Sequence, residues 1–240
     1  SSRLAIIKLV RGSNMNDNEC EICKFNNPKG TATAVIIKDG KLLVLKRNEE
    51  PLKGEWDLPG GFMHEGELPE EALRREMKEE LGTEFEVDFI GWFPGTHTWK
   101  GKKFAILSHA YLAEPKGEIK LNNENSDYQF MPIAELETVA FDSNQAILRH
   151  LKEKFVIDYQ KLKKLIAQLD PSAQVSESNL YRSLLNGYMS RKIVDGQLVG
   201  AGWIFPRRTF LRKQAVVEDM IVDESVRGKG LGKEILLDLL

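Results

Sequence analysis

Residues 61–82 read GFMHEGELPEEALRREMKEELG, and this stretch decides how the chain folds. Pro69, Glu70 and Glu71 suit the first turn of a helix, where a missing N–H costs nothing and acidic side chains meet the positive end of the dipole. The helix is predicted to run to about Leu81 and to stop at Gly82. On it Glu76, Glu79 and Glu80 stand at i, i+3 and i+4, so three carboxylates share one face. Like charges this close raise one another's pKa. A hard divalent cation such as Mg²⁺ or Mn²⁺, which prefers oxygen ligands, relieves the repulsion. A solvated acidic face would explain the charges alone. It would not explain Gly61 opening the loop, Glu67 within it, Arg75 beside the carboxylates, or Gly82 closing the helix: with the three carboxylates and the apolar Met77, eight fixed positions in one stretch.

Working outward, Thr31 to Lys38 and Lys41 to Arg47 are β-rich runs joined by Asp39-Gly40, the dipeptide of a two-residue type I′ hairpin. Pro51 to Phe62, punctuated by Gly54, Pro59, Gly60 and Gly61, reads as a loop. Phe85 to Trp92 and Lys103 to Leu112 read as strands, and Pro132 to Leu136 and Ser143 to Phe155 as helices. Beyond Val156 the pattern changes. Tyr159 to Leu169 and Glu177 to Leu185 are amphipathic helices joined through Asp170-Pro171-Ser172, and Asp195-Gly196 marks a second hairpin between Met189–Val194 and Gln197–Phe205. Ala215 to Val222 is a further strand. Three segments follow: 1–28, 29–155 and 156–240.

The order Gly, five residues, Glu, seven residues, Arg-Glu, an apolar residue, any residue, Glu-Glu, any residue, Gly resembles the Nudix hydrolase signature. One departure is Thr83, where the family carries an aliphatic residue for packing. Leu42 to Arg47, Gly54 to Gly61 and Phe130 to Phe141 resemble the flanking parts of the family, so the resemblance covers about residues 29–155. It implies an α/β/α sandwich with a mixed sheet and hydrolysis of a nucleoside diphosphate linked to another moiety, such as ADP-ribose, NADH or a sugar nucleotide. It further implies that Glu76, Glu79 and Glu80 are metal ligands or base, that Gly61 offers its carbonyl, and that Arg75 and Glu67 orient the carboxylates. A bound divalent ion lowers the pKa of water and neutralises phosphoryl charge. The base, or a further ligand, comes in many such enzymes from a later loop; Glu124 and Asp127 stand there, and a plain polar loop is the alternative. Arg47 is a candidate for phosphate or a snorkelling side chain. Trp99 and Phe93 are candidates for stacking on a base or for the core.

A second constellation follows Val216 to Val222: Arg227-Gly228-Lys229-Gly230-Leu231-Gly232 between a strand and an apolar helix. Glycines there expose backbone N–H groups at a helix N-terminus, a diphosphate-binding arrangement, although the spacing is neither a P-loop nor a dinucleotide fingerprint. Arg-x-x-Gly-x-Gly after Glu218 to Val222 resembles the acetyl-CoA-binding core of GNAT-type N-acetyltransferases. By that resemblance 227–232 hold the CoA diphosphate, Met220, Ile221 and Val222 line the pantetheine arm, and Glu218 or Asp219 deprotonates an amine acceptor or is structural. The later strands of that fold are not in the sequence. The leading reading is a divalent-metal-dependent Nudix pyrophosphohydrolase joined to the first part of an acetyltransferase; the alternative is a nucleotide-sensing Nudix domain that regulates the transferase.

Composition bounds the rest. The 240 residues carry 34 basic and 36 acidic side chains, with 42% hydrophobic and 29% charged residues. That is a globular chain with no global pull toward nucleic acid or membrane, and no run approaches the ~20 apolar residues of a membrane span. Nine Glu between Glu65 and Glu86 are hidden by the near balance. The two cysteines, Cys20 and Cys23, form half of a tetrahedral site with no fourth-ligand partners nearby; zinc is not expected, reduced thiols are, and a cytoplasmic setting follows. Some Nudix relatives carry a zinc ribbon at this place, of which the pair would be a remnant or half. Small-molecule nucleotide, acetyl-CoA and an amine are the expected partners, with a homodimer admitted. The opening on Ser1 and the close inside an apolar helical run read as a segment of a longer chain, with Met15 as a natural start.

Overall fold

The computed structural model describes residues 25–208 and 212–240. Cys20 and Cys23, with the expectations placed on them and on Met15, lie outside the described residues.

The described part of the first half is built of eight strands and two helices. β1 (Lys29–Val35), β2 (Ile37–Lys38) and β3 (Lys41–Arg47) form the predicted hairpin, with Asp39 and Gly40 both at positive φ, 51° and 71°, as a type I′ turn requires. The predicted loop 51–62 contains two short strands, β4 (Trp56–Asp57) and β5 (Gly60–Phe62), before α1 (Pro69–Leu81). Gly82 ends α1 at φ 68°, its N–H on the Lys78 carbonyl, a conformation that strains any residue bearing Cβ. β6 (Phe85–Trp99) and β7 (Lys102–Pro115) are longer than their sequence patterns suggest, because they pair from Phe85↔Pro115 to Trp99↔Lys102, with one register shift between Phe89 and Gly91. β8 (Asn125–Pro132) pairs with β3. Pro132 to Leu136 is not the predicted helix. It is a turn closed by Glu135 and Leu136 N–H groups on the Pro132 carbonyl, too short to propagate after a strand that ends at Pro132.

One sheet has the order β5-β1-β7-β6, with β1 and β7 parallel; the other contains β2-β3-β4, with β8 on β3. Alternation along the strands sorts the side chains. Ala32, Ala34, Ile36, Leu43 and Leu45 pack with Ala72, Leu73, Met77 and Leu81 of α1. Val35, Leu42 and Val44 point the other way, to Ile147, Leu148 and Leu151 of α2 (Asp142–Lys154). This is the α/β/α sandwich expected, and it fixes α1 and α2 on opposite faces.

The second half comprises α3 (Tyr159–Leu169), α4 (Glu177–Asn186), β9 (Tyr188–Val194), β10 (Gln197–Arg208), β11 (Lys213–Val222), a 3₁₀ turn at Glu224–Val226 and α5 (Leu231–Leu239), with sheet order β11-β10-β9. Its core is continuous with that of the first half through Phe155, Ile157, Leu162, Leu165, Leu180 and Tyr181. Polar contacts reinforce the junction. Glu177 accepts the N–H groups of Asp39 and Gly40, both at 2.7 Å, and the Tyr181 hydroxyl at 3.1 Å. Arg182 reaches Asp88 at 2.7 Å and Glu114 at 3.2 Å.

Glu177→Ala, which strips the acceptor from two turn N–H groups, is expected to lower stability by about 2 kcal/mol. Tyr181→Ala, which empties a fully buried site, is expected to cost about 3 kcal/mol or more. Urea titration followed by far-UV circular dichroism measures both.

Candidate active site

The carboxylates of α1 are organised by one guanidinium. Arg75 donates from Nε and Nη2 to the two oxygens of Glu67, at 2.9 and 3.0 Å. Nη1 reaches Glu76 at 2.7 Å and Glu79 at 3.4 Å, and Nη2 also meets the Phe62 carbonyl at 2.9 Å. Glu67 in turn accepts the His64 N–H, which closes the loop onto the helix. This bidentate pairing holds Glu67 down at about 2, ionised throughout the neutral range.

The three helix carboxylates occupy different environments. Glu79 is exposed. Glu76 is pressed against β5: a Cβ added to Gly61 would lie 2.4 Å from Glu76 Oε1, so only glycine permits this approach. Glu80 is 8% exposed and accepts the Gly60 N–H at 2.8 Å and Asn125 Nδ2 at 3.3 Å. Burial pushes Glu80 up to about 8 and raises Glu76 as well, with Glu76 and Asp57 adding repulsion at Glu80, and Glu79 and Glu124 adding it at Glu76. Oxygen-rich, under-neutralised and set against a glycine turn, this donor set suits a hard cation. As the side chains are placed, Arg75 rather than a common centre gathers them, and among the described residues no group of three acidic, His or Cys side chains is arranged around a single metal position.

Beside Gly60 and Gly61 a cleft of about 400 Å³ opens on the α2 side of the sheet. His97 stacks on Phe141 (4.1 Å, 24°), and Phe62 and Phe104 flank it. Arg47 lies in its wall, 4.9 Å over the Phe141 ring, with Nε on the Pro51 carbonyl. The floor is polar and buried. Asn144 Nδ2 donates to Asp57 Oδ1 at 2.7 Å, Thr33 Oγ1 approaches Asn144 Oδ1 at 3.4 Å, and Thr33 and Ser108 share a hydroxyl hydrogen bond of 2.7 Å. Burial pushes Asp57 up to about 6, opposed by Asn144 and more weakly by Arg47.

The structure therefore brings together Gly61, Glu67, Arg75, Glu76, Glu79 and Glu80, with Glu124 near enough to act on Glu76. Asp127 does not join them: it sits on β8 opposite Lys46 and caps the Tyr128 N–H. The predicted 122–127 loop thus ends in a strand. Trp99 lines the cleft, whereas Phe93 packs on the core against His150. Asp57, Asn144, His97 and Phe141 were not singled out from the sequence; the one available signal was a lone charge between Trp56 and Leu58 in a run that pairs as strand.

In the second half, Gly230 (φ 83°) caps α5, so residues 227–232 form a strand-to-helix turn with Arg227 Nε on the Val222 carbonyl. β11 is an edge strand of its sheet, with Ile221 and Val222 opposite Ala201 and Gly200. A bulge lies where Trp203 opposes Glu218, and Asp219 there has φ 51°.

Residues 28–155 match the NUDIX domain model and residues 149–240 that of the acetyltransferase (GNAT) family. The chain belongs to the Nudix hydrolases and carries a GNAT domain after the Nudix domain. It is 31% identical over 132 residues to an ADP-ribose pyrophosphatase of Methanocaldococcus jannaschii, covering 54% of this chain and 77% of that one. A mitochondrial NAD(P)H pyrophosphatase of Homo sapiens, NUDT13, is 30% identical over 139 residues, 55% of this chain but only 36% of the human one. Nucleoside triphosphatase NudI of Escherichia coli is 31% identical over 131 residues, 50% of this chain and 92% of that one. A solved MutT Nudix hydrolase of Burkholderia pseudomallei matches 51% of this chain and 97% of its own, with 26% identity and TM-score 0.45.

The buried Asp57 predicts a pH effect. Its folded-state pKa lies above the ordinary carboxylate value of 3.8, so its protonated form favours folding: that contribution is full below about pH 4 and lost as pH rises through about 6. Asp57→Asn should remove this slope and stabilise the protein at pH 7 by up to about 3 kcal/mol. Urea titrations of both proteins at pH 4 and pH 7.5 make the comparison.

Proposed function

We propose that the chain hydrolyses the pyrophosphate bond of a nucleoside diphosphate linked to another moiety, of the ADP-ribose, NADH or sugar-nucleotide type, and that its GNAT domain transfers an acetyl group from acetyl-CoA to an amine. The observation that carries the first part is the Arg75-centred carboxylate cluster packed against Gly60 and Gly61 at the edge of an aromatic cleft. A phosphate chain at that edge meets the acidic helix while the nucleoside enters the cleft. Two of the relatives, an ADP-ribose pyrophosphatase and an NAD(P)H pyrophosphatase, support that class of substrate.

Glu76, Glu79 and Glu80 would hold Mg²⁺ or Mn²⁺, with the Gly61 carbonyl. Such an ion supplies charge neutralisation at the phosphoryl oxygens and an acidified water. The protein's own contribution is orientation. Arg75 and Glu67 fix the helix carboxylates and the loop relative to one another. Arg47 offers a cation at the mouth of the cleft. Glu124 is the later-loop carboxylate with an electrostatic link to the cluster, which favours it over Asp127 as an additional ligand or base.

For the second activity, the turn 227–232 would present backbone N–H groups to the CoA diphosphate, and the edge of β11 at Met220, Ile221 and Val222, which pairs with no further strand among the described residues, would receive an amide-bearing pantetheine arm. No helix among the described residues is long and apolar enough to cross a membrane. With two cysteines and nucleotide substrates, we place the protein in the cytoplasm.

Glu79→Gln combined with Glu80→Gln should cut Mg²⁺-dependent release of phosphate-containing products to about a thousandth or less, a barrier change of about 4 kcal/mol, with the circular dichroism spectrum retained. Unchanged turnover on a panel of ADP-ribose, NADH and sugar nucleotides would sink the metal assignment. Glu67→Gln, which acts through Arg75, should lower activity by about 10- to 100-fold, read in the same assay.

A further inference from the structure

Asp57 is a buried carboxylate without a strong counter-charge. Only 5% of it is exposed, and Arg47 Nη1 stands 3.8 Å from its Oδ2, beyond hydrogen-bond reach. Its firm side-chain partner is an amide: Asn144 Nδ2 occupies Oδ1. That amide is itself oriented, since its oxygen faces the hydroxyl of Thr33, which is shared with Ser108. The Thr33–Ser108 pair thus turns the NH₂ of Asn144 toward Asp57. An asparagine at position 57 would accept the same hydrogen bond without the desolvation of a charge. The Leu58 N–H is a second donor, but neither hydrogen-bond donor is charged, and Asp57 lines the cleft, where a bound ligand can donate further hydrogen bonds.

The cleft indicates where they come from. Asp57, Asn144, His97 and Phe141 all line it, together with Gly60 and Gly61, so its floor and aromatic wall adjoin the carboxylate cluster. The stacked His97–Phe141 pair forms an aromatic wall, and burial lowers the pKa of His97. A planar ring laid along that wall brings its edge to the polar floor. The cleft volume of about 400 Å³ is in the range of small-molecule sites.

Resting on the reading that this cleft receives the nucleoside half of the substrate, we propose that Asp57 is a specificity-determining residue whose carboxylate accepts hydrogen bonds from the amino edge of the base. It would select amino-bearing rings, as in adenine or cytosine, over their carbonyl-edged counterparts, hypoxanthine and uracil. At the ring position that bears the exocyclic group, a carboxylate oxygen accepts from an amino N–H but repels a carbonyl oxygen, so hypoxanthine or uracil must shift within the cleft to offer its ring N–H instead. Asn144 is a positioning residue in this scheme, since it acts through Asp57.

The test is equilibrium binding of AMP, IMP, CMP and UMP to the 240-residue chain, by isothermal titration calorimetry without added metal. The wild type is expected to bind AMP at least about tenfold more tightly than IMP, and CMP than UMP. Asp57→Asn, which offers an NH₂ in place of an oxygen, should narrow or invert both ratios. Asn144→Ala keeps the carboxylate but frees its orientation, and should narrow them too; it serves in place of the first variant if that one does not fold. Ratios within twofold in the wild type, an equal loss for all four nucleotides in Asp57→Asn, or no binding of any of them would overturn the proposal. The carboxylate double variant separates the two ideas: it should leave the AMP-to-IMP ratio intact while turnover disappears. If turnover survives there, the hydrolytic assignment fails and base selection by Asp57 stands.

Discussion

The guanidinium of Arg75 is the interaction on which the site depends. One planar fork binds Glu67 through two parallel hydrogen bonds, reaches Glu76 and Glu79, and holds the Phe62 carbonyl. It therefore fastens a loop, a short strand and a helix to one point. Without it, the carboxylates on α1 would repel one another and the loop before the helix would lose the ties that Glu67 and the Phe62 carbonyl make to it. A lysine, with a single rotatable ammonium, could not span the same four acceptors in one plane.

Around that point burial divides labour among similar groups. Glu67 is paired and stays ionised, Glu80 is buried and becomes basic, and Asp57 is buried behind an amide at the floor of the neighbouring cleft. Three carboxylates so near one another thus titrate in separate ranges, because desolvation dominates in two and a charge-assisted hydrogen bond in the third. The glycines at positions 60 and 61 make this division feasible: they let the chain pass close to both Glu80 and Glu76, so one N–H is donated to the first carboxylate and the second packs against bare backbone.

The junction between the halves is a continuous core. Phe155 stacks on Tyr181 at 5.4 Å, and Glu177 at the start of α4 closes the Asp39-Gly40 turn of the Nudix sheet. The GNAT helices thereby complete a hydrogen-bonding requirement of the first domain, whose turn N–H groups find acceptors in the second. Apolar residues from α2 through α4 share one buried cluster.

Much of this was legible in the sequence because it depends on local spacing. The i, i+3, i+4 carboxylates, the Pro69 start and Gly82 stop of α1, both Asp-Gly hairpins, the α3–α4 pair and the glycine turn before α5 all follow from helical period, turn chemistry and capping. Failures came where a long-range partner decided. β6 and β7 extend to Trp99 and Pro115 because each completes the other's ladder, Pro132 to Leu136 is a turn because the strand before it is held by β3, and Asp127 is turned away by that same pairing. The cleft was illegible altogether. Thr33, Asp57, Ser108 and Asn144 are ordinary polar residues scattered along the chain, and only the parallel pairing of β1 with β7 and the packing of α2 beneath the sheet bring them together. Sequence alone determined which carboxylates share a helix; the tertiary structure decided which of them are buried, because burial depends on long-range packing that spacing along the chain does not carry.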